Sequence, residues 1–358
     1  MRIREIIFQD FRSFREEKQI SFVDPLTDRV RPITVIAGTN GTGKTTILDT
    51  IEGLLKFVQL KLKSQPPDPA VQVEFVSDIY ETRHTIQSSV NMSVEFSQND
   101  LLQPLTNESE TLNIIIGNRG ANDSSHFIGR FWPDFQVELS NTPLIDKLRQ
   151  AVVSHKKDSE YGGLLYFPHD RRLEPSLGGV IEPPPSDKNE WIYRFSNADQ
   201  WKGSLEQFWV WQNYLDLEEG TTHQYLESFV KTAENILGTD RRITIQKGRA
   251  KVSVPWPMNG NGEKVGLNQL PSGEQKILLL FGELVRRRRS GVVILIDEPE
   301  SSLHPALQRR VVHQLRKIAD EWDAQIILAT HSLEILQSVH ESEILFLDQL
   351  NTPILSMV

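Results

Sequence analysis

The run Gly38-Thr-Asn-Gly-Thr-Gly-Lys44-Thr45 constrains this chain more than any other feature, because it joins the apolar stretch PITVIAG at 32 to 38 to an amphipathic one. After it, Ile47, Leu48, Ile51, Leu54, Leu55, Val58 and Leu62 recur at spacings of one, three and four, which predicts a helix with one buried face. That helix should end before QPPDPA at 65 to 70. A glycine-rich turn that leaves a buried strand and opens a helix is a phosphate-binding loop. Its backbone N–H groups curl around phosphate oxygens, and the helix N-terminus favours negative charge. Asn40, Gly41, Gly43, Lys44, Thr45 and Thr46 are the expected nucleotide contacts, with Lys44 reaching the β and γ phosphates and Thr45 ligating magnesium.

Far downstream, the apolar residues Val292 to Ile296 lead into Asp297 and Glu298, so two carboxylates are expected at the C-terminal end of a buried strand. Ligands of open α/β sheets gather at that edge. Asp297 can hold a magnesium shell there while Glu298 orients or deprotonates an attacking water. Taken alone, such a pair could simply cap a helix; beside the phosphate loop the catalytic reading is preferred. A second apolar run, QIILAT, ends at His331, which is expected to sense a γ phosphate or else to cap the helix SLEILQSV beside Ser332. Short apolar strands alternating with helices at both ends of the chain imply an α/β fold with a mainly parallel sheet covered by helices. Residues 1–65 and 265–358 are the expected discontinuous core, with 66–264 an inserted lobe of mixed α/β or helical character, partly core strands and partly helical.

Composition narrows the chemistry. Cysteine is absent, which excludes disulfides, thiolate metal sites and cysteine nucleophiles. No apolar run approaches the roughly 20 residues of a membrane-spanning helix, and MRIREIIFQDF is unlike a signal peptide, so a cytoplasmic protein without a membrane partner is expected. The net charge of -9 argues against a surface that is basic all over. Nucleic-acid contact stays possible at Arg286 to Arg289, although such a run is more often a solvated helix end. Trp191, Trp201, Trp209 and Trp211 crowd the middle segment and read as packing residues rather than base-stacking platforms. The segment SLGGVIEPPPSDKNE at 176 to 190 reads as an exposed connector.

Five segments together resemble the ABC-type ATPases of the SMC, RecF and OLD group: FRSF at 11 to 14, GTNGTGKT with its Asn40, LPSGEQK at 270 to 276, DEPESSLHP at 297 to 305 and ATHS at 330 to 333. The resemblance spans roughly 1 to 60 and 265 to 350 and leaves the middle unexplained. It implies an ABC-ATPase head that hydrolyses ATP with Mg2+, using Glu298, His331 and Lys44 for catalysis, Thr45 and Asp297 for the metal, and Arg12 as a further nucleotide contact. It also implies a homodimer closed head to tail, in which Ser272, Gly273 and Glu274, opening the helix EQKILLLFGELV, complete the site of a second subunit. Pro271 stands where the signature serine is usual, shifting Ser272 by one place, and His304 replaces the aspartate usual in SMC-type proteins, as in the OLD-type variant. The usual glutamine loop has no clear counterpart; LLYFPHDRR at 164 to 172, carrying His169, Asp170, Arg171 and Arg172, is the nearest segment, a solvated strand end being the alternative.

OLD relatives often add a C-terminal nuclease domain, and this chain stops soon after His331. The expectation is therefore a dimeric ATP-driven switch controlling a separately encoded effector, a nuclease or toxin, in bacterial anti-phage defence. RecF-like or SMC-like DNA repair is one alternative, and an ATP-binding scaffold with little turnover is another. A transporter subunit is disfavoured by FRSF, by the long middle segment and by DEPESSLHP.

Overall fold

The computed structural model describes residues 1–63, 89–97, 109–117, 125–132, 135–153, 162–171, 191–195, 205–220, 224–237, 243–246, 249–254 and 263–348. QPPDPA, the connector at 176 to 190, Arg172 and Trp201 lie outside them. The chain opens with β1 (Arg2–Gln9), β2 (Lys18–Ser21), β3 (Ile33–Ala37) and α1 (Lys44–Lys63). There follow β4 (Ser89–Ser97), β5 (Ser109–Gly117), β6 (Ser125–Trp132), β7 (Phe135–Ser140) and α2 (Thr142–Val153). Next come β8 (Leu164–Phe167), β9 (Ile192–Arg194), α3 (Leu205–Glu219), α4 (Gln224–Leu237), β10 (Ile243–Gln246), β11 (Arg249–Val254) and β12 (Glu263–Gly266). The last elements are α5 (Ser272–Arg286), β13 (Val293–Asp297), α6 (Pro305–Glu321), β14 (Gln325–Thr330), α7 (Leu333–Leu336) and β15 (Ile344–Phe346).

A six-stranded sheet in the order β15-β3-β14-β13-β8-β9 forms the centre, and every neighbouring pair in it is parallel. Its middle strands are buried along their whole length, as their unbroken apolar runs require when both faces are covered. Ile294, Ile296, Ile326 and Leu328 face α5 and α6, which contribute Phe281, Leu284, Val311 and Leu315. Val293, Leu295, Ile327 and Ala329 face the other way, onto α1.

Beyond α1 lies a second six-stranded sheet, β2-β1-β4-β5-β7-β6, antiparallel throughout. This layer changes the expectation of a single buried face on α1. Leu48, Leu54, Leu55, Phe57 and Val58 are all at 2% exposure or less, because one side of the helix packs on the parallel sheet and the other on Val90, Met92, Val94, Leu112 and Ile114. The two sheets are also joined by a polar seam: buried Gln325 at the start of β14 donates to Ile3 O (2.9 Å) and accepts from Ile3 N (2.7 Å). At the N-terminus, β2 ends at Ser21. Asp24 takes Leu26 N on its side chain (2.8 Å) and Asp28 N on its carbonyl (2.9 Å), so the chain turns at that point.

Within residues 66–264, β4 to β7 join the antiparallel sheet and β8 and β9 join the parallel one, while α3, α4 and β10 to β12 form a separate layer. That layer, α3, α4 and the antiparallel sheet β10-β11-β12, packs Leu205, Trp209, Ala233 and Val252 on Leu278, Leu279 and Val285 of α5. Helix α5 is thus buried on both sides. Trp209 is core, Trp191 stacks on Phe96 (6.4 Å) and Trp211 on Tyr214 (5.5 Å).

The arginine run after α5 departs from both expectations held for it. Arg287 and Arg289 are buried, Arg287 lies over Tyr193 (4.5 Å) and Phe195 (5.0 Å), and Arg286 lies over Phe208 (4.8 Å). Fully buried Glu283 ion-pairs with Arg286 (3.6 Å) and with Arg287. A carboxylate at that depth needs cations beside it, and aromatic faces favour guanidinium groups. The run is therefore internal cement; Arg288 alone of the four is exposed, over Trp322 (5.8 Å).

Candidate functional site

The phosphate loop leaves β3 and enters α1 through two left-handed glycines, Gly41 (φ 85°) and Gly43 (φ 100°). Gly43 must also lack a side chain for a second reason. A Cβ there would fall 2.7 Å from the ring of Phe14, which stacks on Phe8 (4.6 Å). Phe11 and Phe14 exchange backbone hydrogen bonds of 2.7 and 2.9 Å across Arg12 (φ 51°). FRSF is thus a tight turn that lays an aromatic ring under the loop and carries Arg12 beside it. Asn40 and Gly41 are exposed at the tip, and Thr46 sits one turn into α1, its carbonyl taken by Thr50 Oγ1 (2.6 Å). Lys44 is buried and donates to Gly38 O and Thr39 O, both at 2.7 Å. From the far end of the chain, Asp348 accepts Thr39 N–H (2.7 Å), while Leu347 N bonds Ala37 O (2.9 Å) and extends β15 along β3.

Strand β13 brings the two carboxylates to this loop. Thr45 Oγ1 donates to Asp297 Oδ2 at 2.8 Å, joining residues 252 apart in sequence. Burial pushes the Asp297 carboxyl above the ordinary carboxylate value, with the Thr45 bond opposing that rise. Glu298 follows in the left-handed region (φ 46°), a conformation that costs energy for a residue with a side chain and turns it out of the strand line. Its backbone is held on both sides, with Glu298 N donating to Ala329 O (2.9 Å) and Ser301 N donating to Glu298 O (3.1 Å). The strand next door supplies a third support. Arg171, 1% exposed, follows β8 and donates to Pro168 O (3.0 Å), Asp297 O (2.8 Å) and Glu298 O (3.2 Å). Burial pulls its guanidinium down to about 10, with Asp297, Glu300 and Glu298 resisting, so it stays charged at neutral pH. His169, two residues earlier, places Nδ1 3.5 Å from Asp297 Oδ2.

His331 follows β14 and sets Nδ1 3.9 Å from Glu298 Oε1 and 3.3 Å from Glu300 Oε1. Glu300 also accepts Thr330 Oγ1 (2.7 Å) and His331 N (3.0 Å), which locks the turn that presents the imidazole. Ser332 caps α7 by accepting Ile335 N (3.4 Å).

The start of α5 adjoins the same loop. Pro271 is the N-cap and Ser272 the first helical residue, exposed at the helix end. Gly273 is seated on the loop of DEPESSLHP that follows β13, the Walker B loop, so closely that a Cβ would fall 2.3 Å from Ser302 O, and Lys276 Nζ reaches Ser301 Oγ (2.7 Å). Glu274 lies in the same first turn. His304 caps α6, accepting Ala306 N on Nδ1 (3.3 Å), with Pro305 at the first helical position.

The structure therefore brings Lys44, Thr45, Asp297, Glu298 and His331 to one sheet edge, and sets Ser272, Gly273 and Glu274 against the loop that follows Glu298. The hydroxyl of Thr45 and the carboxylate of Asp297 are hard oxygen donors, and Asp297 Oδ1 is a buried oxygen with no hydrogen-bond partner among the described residues. That donor set fits Mg2+, which takes few protein oxygens and completes its shell with phosphate and water. Bound there, the ion would neutralise charge on the phosphates. Glu300 and Asp348 were not singled out from sequence as members of the site, although Glu300 lies within DEPESSLHP, and Arg171 was named only within the segment nearest to a glutamine loop.

Several known proteins resemble this chain. A solved structure, the SMC head domain from Thermotoga maritima, superposes with a TM-score of 0.45 at 14% identity, covering 95% of this chain and 92% of that one. Two family models match, one described as "AAA domain" over residues 5–120 and one described as "AAA domain, putative AbiEii toxin, Type IV TA system" over residues 189–337. The chain is 21% identical to "Retron Vc95 probable ATPase" of Vibrio cholerae serotype O1 biovar El Tor, over 98% of this chain and 74% of that protein. It is 25% identical to the OLD nuclease of Thermus scotoductus, over 84% of this chain and 55% of that protein. The two AAA-domain models, with the likeness to a retron ATPase and to an OLD nuclease, support the reading of this chain as an ATPase.

Proposed function

We propose that this ATPase is a dimeric switch that closes head to tail on ATP and Mg2+ and passes the movement to a separate effector protein. Residues 40–46 hold the phosphates, Thr45 and Asp297 hold the metal, Glu298 activates the attacking water, and His331 reads the γ phosphate. Ser272, Gly273 and Glu274 of one subunit approach the phosphate bound by the other, where the first turn of a helix favours negative charge. The observation that carries this reading is the joint at Gly273. Exposed Ser272 is backed by a glycine seated on Ser302, so a phosphate met by α5 would bear on the loop that positions Glu298 in the same chain.

Mixing two defective chains tests the shared site. Lys44→Ala and Ser272→Arg, each inactive alone, should regain turnover together, because a mixed dimer keeps one intact composite site. No recovery at any ratio, with mixed dimers shown to form, would sink the head-to-tail reading. The similarity to a retron ATPase and to an OLD nuclease supports a role in cytoplasmic anti-phage defence with a nuclease or toxin as effector. Glu298→Gln purified with ATP should then retain a second protein in fixed ratio, identifiable by mass; a homodimer alone under those conditions counts against the effector.

A further inference from the structure

At the foot of α5 a cavity of about 230 Å³ opens between β11 and the turn Leu267–Gln269, and its lining shares no residue with the nucleotide site. Along β11, Ala250 and Val252 enter the core, so Arg249 and Lys251 share the opposite face. Neither has an ion-pair partner among the described residues. Gly266 stands opposite Lys251 on β12. A Cβ at Gly266 would lie 2.9 Å from Asn268 Oδ1, 3.5 Å from Gln269 Oε1 and 3.9 Å from Lys251 Nζ, so the space left by the missing side chain is faced by one ammonium and two carboxamide oxygens. Gln269 Oε1 accepts Gly266 N–H (2.8 Å), which leaves its NH2 as a donor. Glu206, the acid of the lining, is turned to the strand and accepts Ala250 N–H (3.0 Å).

Charge and shape select the ligand. In a chain of net charge -9, residues 241–251 (RRITIQKGRAK) carry Arg241, Arg242, Lys247, Arg249 and Lys251 and no carboxylate. The apolar lining residue, Leu267, is buried in the core, so the cavity offers two cations and polar amide groups, with Glu206 turned to the strand, but no exposed apolar anchor of the kind a protein partner needs. Convergent cations and amide donors are the means by which proteins hold phosphoryl oxygens. The cavity is also tied to the signature helix: Gln275 of α5 donates to Asn268 O (3.3 Å) and Leu270 O (2.8 Å), and Ser272 lies between those anchors. We propose that this cavity binds a phosphoryl group, carried by a nucleic-acid backbone or by a free small phosphate, and that occupancy sets the position of Ser272. The effect on turnover rests on the head-to-tail reading; the binding does not.

Binding is measured on the full chain with Lys44→Ala, which removes the phosphate-loop lysine. The probes are a fluorescein-labelled single-stranded oligonucleotide, read by anisotropy, and inorganic pyrophosphate, read by calorimetry. At least one should bind, and Arg249→Gln/Lys251→Gln should weaken it about tenfold or more, while the charge-keeping pair Arg249→Lys/Lys251→Arg retains it. Oligonucleotide binding alone, falling with salt, assigns a backbone phosphate; pyrophosphate binding assigns a compact ligand. Failure of both probes, equal binding by the neutralised pair, or a polyglutamate peptide bound as tightly as the oligonucleotide overturns the site. With Lys44 restored, the bound probe should change ATP turnover, and Gln275→Leu should abolish that response while keeping probe affinity. An unresponsive wild type overturns the coupling. Failed mixing beside intact probe binding would instead remove only the shared-site reading.

Discussion

Gly273→Ala gives the sharpest test of the joint between α5 and the Walker B loop, because helix propensity and packing predict opposite signs. Replacing a helical glycine by alanine ordinarily stabilises by about 0.5–1 kcal/mol. Here the new Cβ would fall 2.3 Å from Ser302 O and 3.0 Å from Leu303 Cδ2, against an ordinary contact of 3.4 Å or more, so backbone must retreat by about 1 Å. The loop cannot yield cheaply. Lys276 holds Ser301, Leu303 N bonds Glu300 O (2.8 Å), and Ser302 is itself left-handed (φ 67°). Overpacking of this kind costs about 1–3 kcal/mol, and an obstacle made of backbone places it at the upper end, leaving a net loss of about 1–2 kcal/mol. With an unfolding entropy of about 2.1 cal/mol/K per residue, a loss in the middle of that range lowers the Tm of a 358-residue chain by about 2 °C. The same shift reaches Glu298, and a displacement of about 1 Å at a reacting group can cost about a hundredfold in rate. Thermal melts and steady-state ATP turnover on one preparation decide it. Gly282→Ala serves as comparison, since its Cβ meets the side-chain ends of Leu205 and Trp209 rather than backbone. A Gly273→Ala protein that melts higher and hydrolyses ATP normally would refute the joint.

Glu298→Gln should keep ATP affinity and lose turnover by about 10²–10⁴-fold, the range of a general base, measured by phosphate release under saturating ATP; unchanged turnover would support a binding scaffold instead. Asp297→Asn should raise Tm in magnesium-free buffer while abolishing hydrolysis. The carboxyl is raised by burial, so its stabilising contribution is present below the ordinary carboxylate value and is lost as pH rises through the folded value, leaving the ionised group a cost at neutral pH. A lower Tm for this variant would contradict that sign. Asp348→Ala removes one exposed charge-assisted bond to Thr39 N–H, worth about 1 kcal/mol, and should raise the KM for ATP about fivefold with kcat nearly unchanged. A fall in kcat with constant KM would place Asp348 elsewhere in the cycle.

What the sequence made legible follows the range of the interactions involved. The phosphate loop is a contiguous strand, turn and helix, so its chemistry can be read from eight neighbouring letters. The central strands are legible for the same reason, since burial on both faces leaves unbroken apolar runs. Strand order is another matter. That β8 lies beside β13 is settled by pairings such as Leu295 with Tyr166, and only that neighbour relation carries Arg171 to the Walker B turn. Arg171 bonds backbone carbonyls, which every residue owns, so no residue type could announce its partners. The antiparallel sheet over α1 was missed because the helix text shows apolar residues without showing how many layers they meet. For the arginine run, half of the signal was present: Glu283 stands three and four residues before Arg286 and Arg287. The other half, the rings of Tyr193, Phe195 and Phe208, comes from distant segments.

These long-range contacts converge on α5, and that convergence explains why a signature helix is so heavily buried. One side packs on the parallel sheet whose edge carries Asp297, the other packs on the layer of α3, α4 and β10 to β12, and its first turn is seated on the loop after Glu298. A rigid element held on three sides cannot shift its N-terminus without moving at least one of them. Force applied at Ser272 by a neighbouring subunit would therefore be divided between the catalytic loop and the layer of α3, α4 and β10 to β12, and the stiffer path takes the larger share. The joint at Gly273 runs through backbone, whereas Gln275 reaches the Leu267–Gln269 turn through a flexible side chain. The catalytic loop should accordingly respond to closure first and the outer layer second. Melting Gly273→Ala against Gln275→Leu, and comparing their turnover, would reveal the reverse order if that reasoning is wrong.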